Sequence, residues 1–175
     1  NALLVLKYPT GETVKEALNL LIGKIGENIQ IRRFEYWKAN GANEVVGFYL
    51  HAGSKIGVLI EIDDAAKKVT SELAKEVAMH AAAMQPRYVR PSEVSASAVE
   101  KEKEILMASV DTKKPKEIQE KIVQGKLNKF YSEVCLEDQI FVKDLEGKTT
   151  VKQWLQQLSP SAKISRFVRL QVGAE

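Results

Sequence analysis

Residues 45–62 read VVGFYLHAGSKIGVLIEI, and the reading of this stretch decides the fold. Val45 to His51 is an apolar, β-branched and aromatic run. Ala52-Gly53-Ser54 is a short turn, and Ile56 to Ile62 is a second run. In that second run Ile56, Val58, Ile60 and Ile62 fall on one face, while Gly57 and Glu61 fall on the other. Two strands joined by so few residues pair antiparallel. The spacing therefore predicts an antiparallel sheet with one face buried.

Working outward, Val14, Ala17, Leu18, Leu21, Ile22 and Ile25 recur at helical spacing upstream of the hairpin. Thr13 and Glu16 stand as a capping box, and Gly26 is suited to end the helix with positive φ. Ile29 and Ile31 then alternate, with Phe34 and Tyr36 in the opposite parity. The switch at Arg32-Arg33 suggests a bulge or a strand covered on both faces. With a turn at Asn40-Gly41-Ala42-Asn43, three strands in succession are expected to form a meander. Downstream, Asp63 or Asp64 is expected to cap a helix running to Met84 and stopped by Pro86, its apolar face including Val69, Leu73, Val77 and Met84.

From Ser97 to Glu133 the pattern changes. Ser97 and Glu100 have capping-box spacing. Val99, Leu106 and Val110 mark one helix, and Ile118, Ile122, Leu127 and Phe130 a second. The link DTKKPK carries Pro115 at the second helix's start. So short a link predicts an antiparallel helical hairpin, and the narrow stripes suit a projecting coiled coil. The tail predicts a strand at Gln139 to Val142, a helix from Thr150 to Leu158 and a strand from Ile164 to Val172. That last strand echoes IQIRRFEYW and is expected beside it. The fold class is α+β: an antiparallel β-sheet with packed helices, interrupted by a helical hairpin. The core would comprise residues 1–93 and 135–175, with the hairpin at 94–134.

Composition narrows the function. Of the 175 residues, 45% are hydrophobic and 28% charged, which suits a folded domain. Basic residues number 26 against 23 acidic ones, too small a surplus to argue for nucleic acid. A single cysteine, Cys135, rules out an internal disulfide and fits a reducing compartment. No apolar run reaches the ~20 residues of a membrane span. The chain opens with Asn1, so it is expected to be processed, trimmed or cut from something longer.

Catalytic patterns are sparse. Gly147-Lys148-Thr149 resembles the end of a phosphate-binding loop, but position 142 is Val where glycine is required. His80 lies beside an apolar stripe and reads as a satisfied interior histidine. His51 ends a strand next to a glycine turn, where side chains reach outward. Cys135 sits between Val134 and Leu136 and reads as packing. Lys113, Lys114 and Lys116 read as a solvated hairpin tip. Arg32, Arg33, Arg166 and Arg169 would read RNA if they shared a sheet face, with Phe34 or Tyr36 stacking, though Glu-rich helices nearby oppose a consistently basic surface. Neither a cofactor nor a metal site is expected.

Together, KIGENIQIRR, GFYLHAGSKIGVLIEI, LAKEVAMHAAAMQPRYV, KEIQEKIVQGKLNKFYSEVCLEDQIFVKD and RFVRLQVG closely resemble bacterial and organellar elongation factor Ts. The resemblance implies a guanine-nucleotide exchange factor for elongation factor Tu, located in a bacterial cytoplasm or an organellar matrix or stroma. It implies that Ile25 and Gly26, with Glu27 and Asn28 beside them, and His51 contact the GTPase. It also implies that the hairpin is the family's coiled-coil module, which serves self-association in some members, so a homodimer is possible through it. Two features of the family find no match here: the small N-terminal helical domain, and the Thr-Asp-Phe motif that intrudes near the nucleotide's magnesium site. Where the hairpin's second strand ends, this chain reads IEIDDAAKK. The resemblance thus covers the second half of the family core plus the coiled coil, an anchoring portion expected to exchange nucleotide poorly alone.

Overall fold

A computed structural model describes residues 2–39, 41–111 and 115–174. Within these the chain forms two compact units, residues 1–36 and 37–175.

In the first unit, a 3-10 turn at Ala2–Val5 precedes helix α1, Val14–Ile25. Thr13 caps α1 by accepting the Glu16 N–H, and Glu16 accepts the Thr13 N–H at 2.7 Å. Gly26, at φ 80°, donates to the Ile22 carbonyl and ends the helix. This local chemistry is as the spacing predicts. The strand expected at Ile29 to Trp37 does not form, and residues 27–39 have no regular secondary structure. Its two apolar parities leave no single face to bury, so the period that holds a ladder in register is missing.

The second unit is built on three antiparallel strands in the order β1-β2-β3: β1 is Glu44–Leu50, β2 is Ile56–Asp63 and β3 is Lys163–Gln171. The hairpin is as predicted, with Gly53 and Ser54 at positive φ in its turn. The third strand is the distant one, however. It pairs Leu59 with Val168 and Glu61 with Arg166, with a bulge between Glu61 and Ile62. Val58, Ile60 and Ile62 point inward and are buried. On the other face Phe48 (54% exposed) and Leu50 (48%) remain exposed.

Helix α2, Ser71–Met84, covers the inner face. Its buried stripe is Ala74, Val77, Ala78 and Ala81, small residues that let helix and sheet approach closely. Met84, placed on that stripe by the sequence pattern, is exposed at the helix end instead. The approach is closest at Gly47, where an added Cβ would lie 2.5 Å from the Ala74 carbonyl carbon. Thr70 caps this helix, correcting the expectation for Asp63 or Asp64. Asp64 is fully buried and turns inward. It accepts from the Ala66, Lys68 and Val69 N–H groups and from the Ser159 and Ser161 hydroxyls.

Helices α3, Ala96–Ala108, and α4, Lys116–Val134, pack on one another. Ser95, not Ser97, caps α3 by accepting the Ala98 N–H. Val110, Val123 and Leu127 are buried, whereas Ile118, expected in the seam, is 47% exposed. Residues 112–114 of the DTKKPK link, with the tip lysines Lys113 and Lys114, lie outside the described residues, as does Asn40 of the predicted turn. The strand expected at Gln139 to Val142 is only a single bridge, Ile140 to Thr150. Helix α5, Val151–Leu158, follows with Thr150 and Gln153 as its capping box.

Gly47→Ala should lower stability by about 2 kcal/mol or more through overpacking against backbone. Urea unfolding of the two chains measures it, and an unchanged midpoint would mean that α2 stands off the sheet.

Candidate functional site

Ile25, the last residue of α1, is 52% exposed although it belongs to the helix's apolar stripe. Leu21 one turn earlier is 44% exposed, and Leu20 and Tyr8 are also exposed. Gly26 turns the backbone away at once, so Glu27 and Asn28 follow as exposed residues on the same corner. Four of the five predicted contact residues are thus contiguous at one capped helix end. The fifth, His51, lies in the second unit at the β1–β2 turn. Its N–H donates to the Ile56 carbonyl, and its carbonyl accepts from Ser54.

Tyr49 is what sequence reasoning missed. Its hydroxyl shares a 3.0 Å hydrogen bond with the His51 Nδ1, and the two rings lie 6.0 Å apart and tilted by 56°. Tyr49 itself packs against the buried core, so the exposed imidazole is oriented from beneath. The signal was present, because residues two apart on a strand share a face.

His80 is wholly interior. Its Nδ1 accepts the Val142 N–H at 3.1 Å, so Nε2 carries the proton and donates to Gln139 Oε1 at 3.0 Å. Gln139 in turn donates to the Met84 and Glu133 carbonyls. Burial lowers the His80 pKa from the usual 6.5, and the Gln139 bond opposes this only partly. Cys135 is also buried, and its thiol is pushed up to about 12, by burial first and then by Asp138, Glu93 and Glu137. A thiol held protonated in this way is a poor nucleophile. Among the described residues no group of three or more His, Cys, Asp or Glu side chains gathers as a metal site would require.

Of the four arginines, Arg166 and Arg169 do not share a sheet face. Arg166 pairs with Glu61 at 2.8 Å and lies 4.3 Å over the Trp37 ring, on the outer sheet face. Arg169, three residues on, falls on the opposite face and donates to the Ala82 carbonyl.

These features belong to an α+β core that carries a helical hairpin. The family model for Elongation factor TS matches residues 1–174, and the chain belongs to that family. It is 44% identical over 172 residues to Elongation factor Ts of Trichlorobacter lovleyi, covering 93% of this chain and 54% of that one. The same-named protein of Alcanivorax borkumensis is 48% identical over 169 residues, covering 96% and 55%. That of Clostridium botulinum strain Eklund 17B is 39% identical over 173 residues, covering 95% and 56%. The chain spans about half the length of these relatives. Among the described residues, no helix is long and apolar enough to cross a membrane.

Because His80 is held neutral, its folded pKa lies below the unfolded one. Its contribution is complete above pH 6.5 and is lost as pH falls below that value. The melting temperature should therefore drop between pH 6.5 and 5. In His80→Gln, which has no proton to gain, that part of the profile should be flat. Cys135 should react with a disulfide reagent at pH 8 only after unfolding; a prompt reaction in native buffer would contradict its burial.

Proposed function

We propose that this chain binds the GTPase elongation factor Tu and belongs to the machinery that expels GDP from it, serving as the anchoring portion. Its action is differential binding: it holds the GTPase in a form with weak affinity for GDP, and GDP must then weaken the chain's own binding equally. The observation that carries the reading is the exposed Ile25 at the αL-capped end of α1, in a member of this family. An isoleucine half in water beside Leu21 is an anchor ready for an apolar recess. Gly26, Glu27, Asn28 and His51 complete the contact set.

Weak exchange by this chain follows from the end of β2 and the residue after it. There the residues are Ile62-Asp63-Asp64, and Asp64 is folded inward on Ser159 and Ser161. No aromatic side chain stands there to intrude on a nucleotide's magnesium site. A second reading, pairing of two copies through the hairpin as a coiled coil, draws on the exposed Ile105, Met107 and Ile118. Sedimentation at several concentrations tests it.

The chain should bind nucleotide-free elongation factor Tu, and Ile25→Asp should weaken binding by tenfold or more while leaving the melting temperature unchanged. GDP release should quicken only slightly. Release as fast as a full-length factor produces would overturn the anchoring reading, and equal binding by Ile25→Asp would remove the corner from the interface.

A further inference from the structure

His51 is held by its backbone on both sides. Its N–H donates to the Ile56 carbonyl at 2.9 Å, and its own carbonyl accepts the Ser54 N–H at 2.9 Å. Gly53 and Ser54, both at positive φ, close the turn between those two bonds. The imidazole is held as well, because Nδ1 lies 3.0 Å from the Tyr49 hydroxyl. Tyr49 stands opposite the buried Val58 and packs against the core, so the base of its ring is fixed.

That one hydrogen bond decides which ring nitrogen carries the proton. Between a phenol and a neutral imidazole, the O–H is the stronger donor and the bare ring nitrogen the stronger acceptor. The Tyr49 hydroxyl therefore donates to Nδ1, and the proton of the neutral ring sits on Nε2. Among the described residues Nε2 has no hydrogen-bond partner, and His51 is exposed. The outcome is a donor set in advance, on the side of the ring that points away from Tyr49. A ring free to rotate and to change tautomer would offer that donor for only a fraction of the time, and apparent affinity falls by that fraction.

We propose that Tyr49 is a positioning residue for the partner contact: it fixes His51 as an Nε2–H donor to an acceptor oxygen on elongation factor Tu. This rests on the reading of His51 as a contact residue. It adds the direction of the hydrogen bond, the chemistry of the group that meets it, and a second residue that acts through the imidazole. A lysine or arginine at that place on the partner would set donor against donor.

The test compares the whole chain with Tyr49→Phe, His51→Ala and the double variant for binding to nucleotide-free elongation factor Tu. Tyr49→Phe keeps the ring and its packing, so the melting temperature should change little while binding weakens roughly threefold to tenfold. In the His51→Ala background the same change should cost nothing further, since Tyr49 acts only through the imidazole. His51→Gln, whose amide reaches the Nε2 position, should retain more binding than His51→Asn, whose amide sits at the Nδ1 position. Nitrogen NMR of the His51 ring in the free chain, at about pH 8 where the ring is neutral, should show the proton on Nε2 alone. In Tyr49→Phe the second tautomer should appear. A wild-type ring protonated on Nδ1, no loss from Tyr49→Phe, or an equal loss in the His51→Ala background would overturn the proposal and leave the contact reading standing. Failure of the wild-type chain to bind, or undiminished binding by His51→Ala, would overturn the contact reading and the proposal with it.

Discussion

The carboxylate of Asp64 is the constraint on which residues 37–175 depend. A fully buried charge costs several kcal/mol unless its lone pairs are satisfied. Burial alone would raise its pKa, yet the Ser159 and Ser161 hydroxyls and the Val69 and Lys68 N–H groups outweigh that and hold it well below the usual 3.8. These donors come from two places: the loop between β2 and α2, and the turn just before β3. One side chain thereby fixes where α2 begins and where β3 enters. With that entry set, Asp63 faces Lys163 and the inward residues of all three strands fall on the side that α2 covers.

A second, neutral network roots the helical hairpin. His80 on α2 and Gln139 beyond α4 exchange a hydrogen bond, and Gln139 also holds the last carbonyls of α2 and α4. Around it the backbone doubles up. The Arg87 and Tyr88 N–H groups donate to the Val134 carbonyl, and the Leu136 and Glu137 N–H groups return to Tyr88 and Val89. Val94, Val134 and Cys135 fill the space beneath, with Tyr88 and Phe130 against them. The hairpin is attached through its base by polar groups that are satisfied only in this arrangement.

What could be read from the sequence is what local chemistry decides. The ends of α1 follow from a Thr-Glu pair and a glycine within reach of one another, and β1 and β2 from a short turn between alternating runs. Because the proposed contact corner, Ile25 to Asn28, is contiguous, it shared that legibility. The failures were non-local. Nothing near Ile62 says that its neighbour lies at Ile164, and IQIRRFEYW has strand-forming residues but no consistent face. Asp64 looked like a helix cap because its true partners, Ser159 and Ser161, lie far along the chain. Gln139 likewise gave no hint that it answers His80.

The strand order has a consequence for how the molecule is made. β2 is the central strand, yet the partner on its second edge begins about a hundred residues after β2 ends. At ordinary synthesis rates that is roughly 5–20 s during which the second edge of the central strand stands unpaired in the nascent chain. The intervening segment folds largely through its own neighbours, since α3 and α4 pack on each other. Their compaction shortens the loop that β3 must close, and closure entropy grows only slowly with loop length. The vulnerable interval is thus one of waiting rather than of searching, and through it the backbone groups of Gly57, Leu59 and Glu61 that β3 will meet stay open.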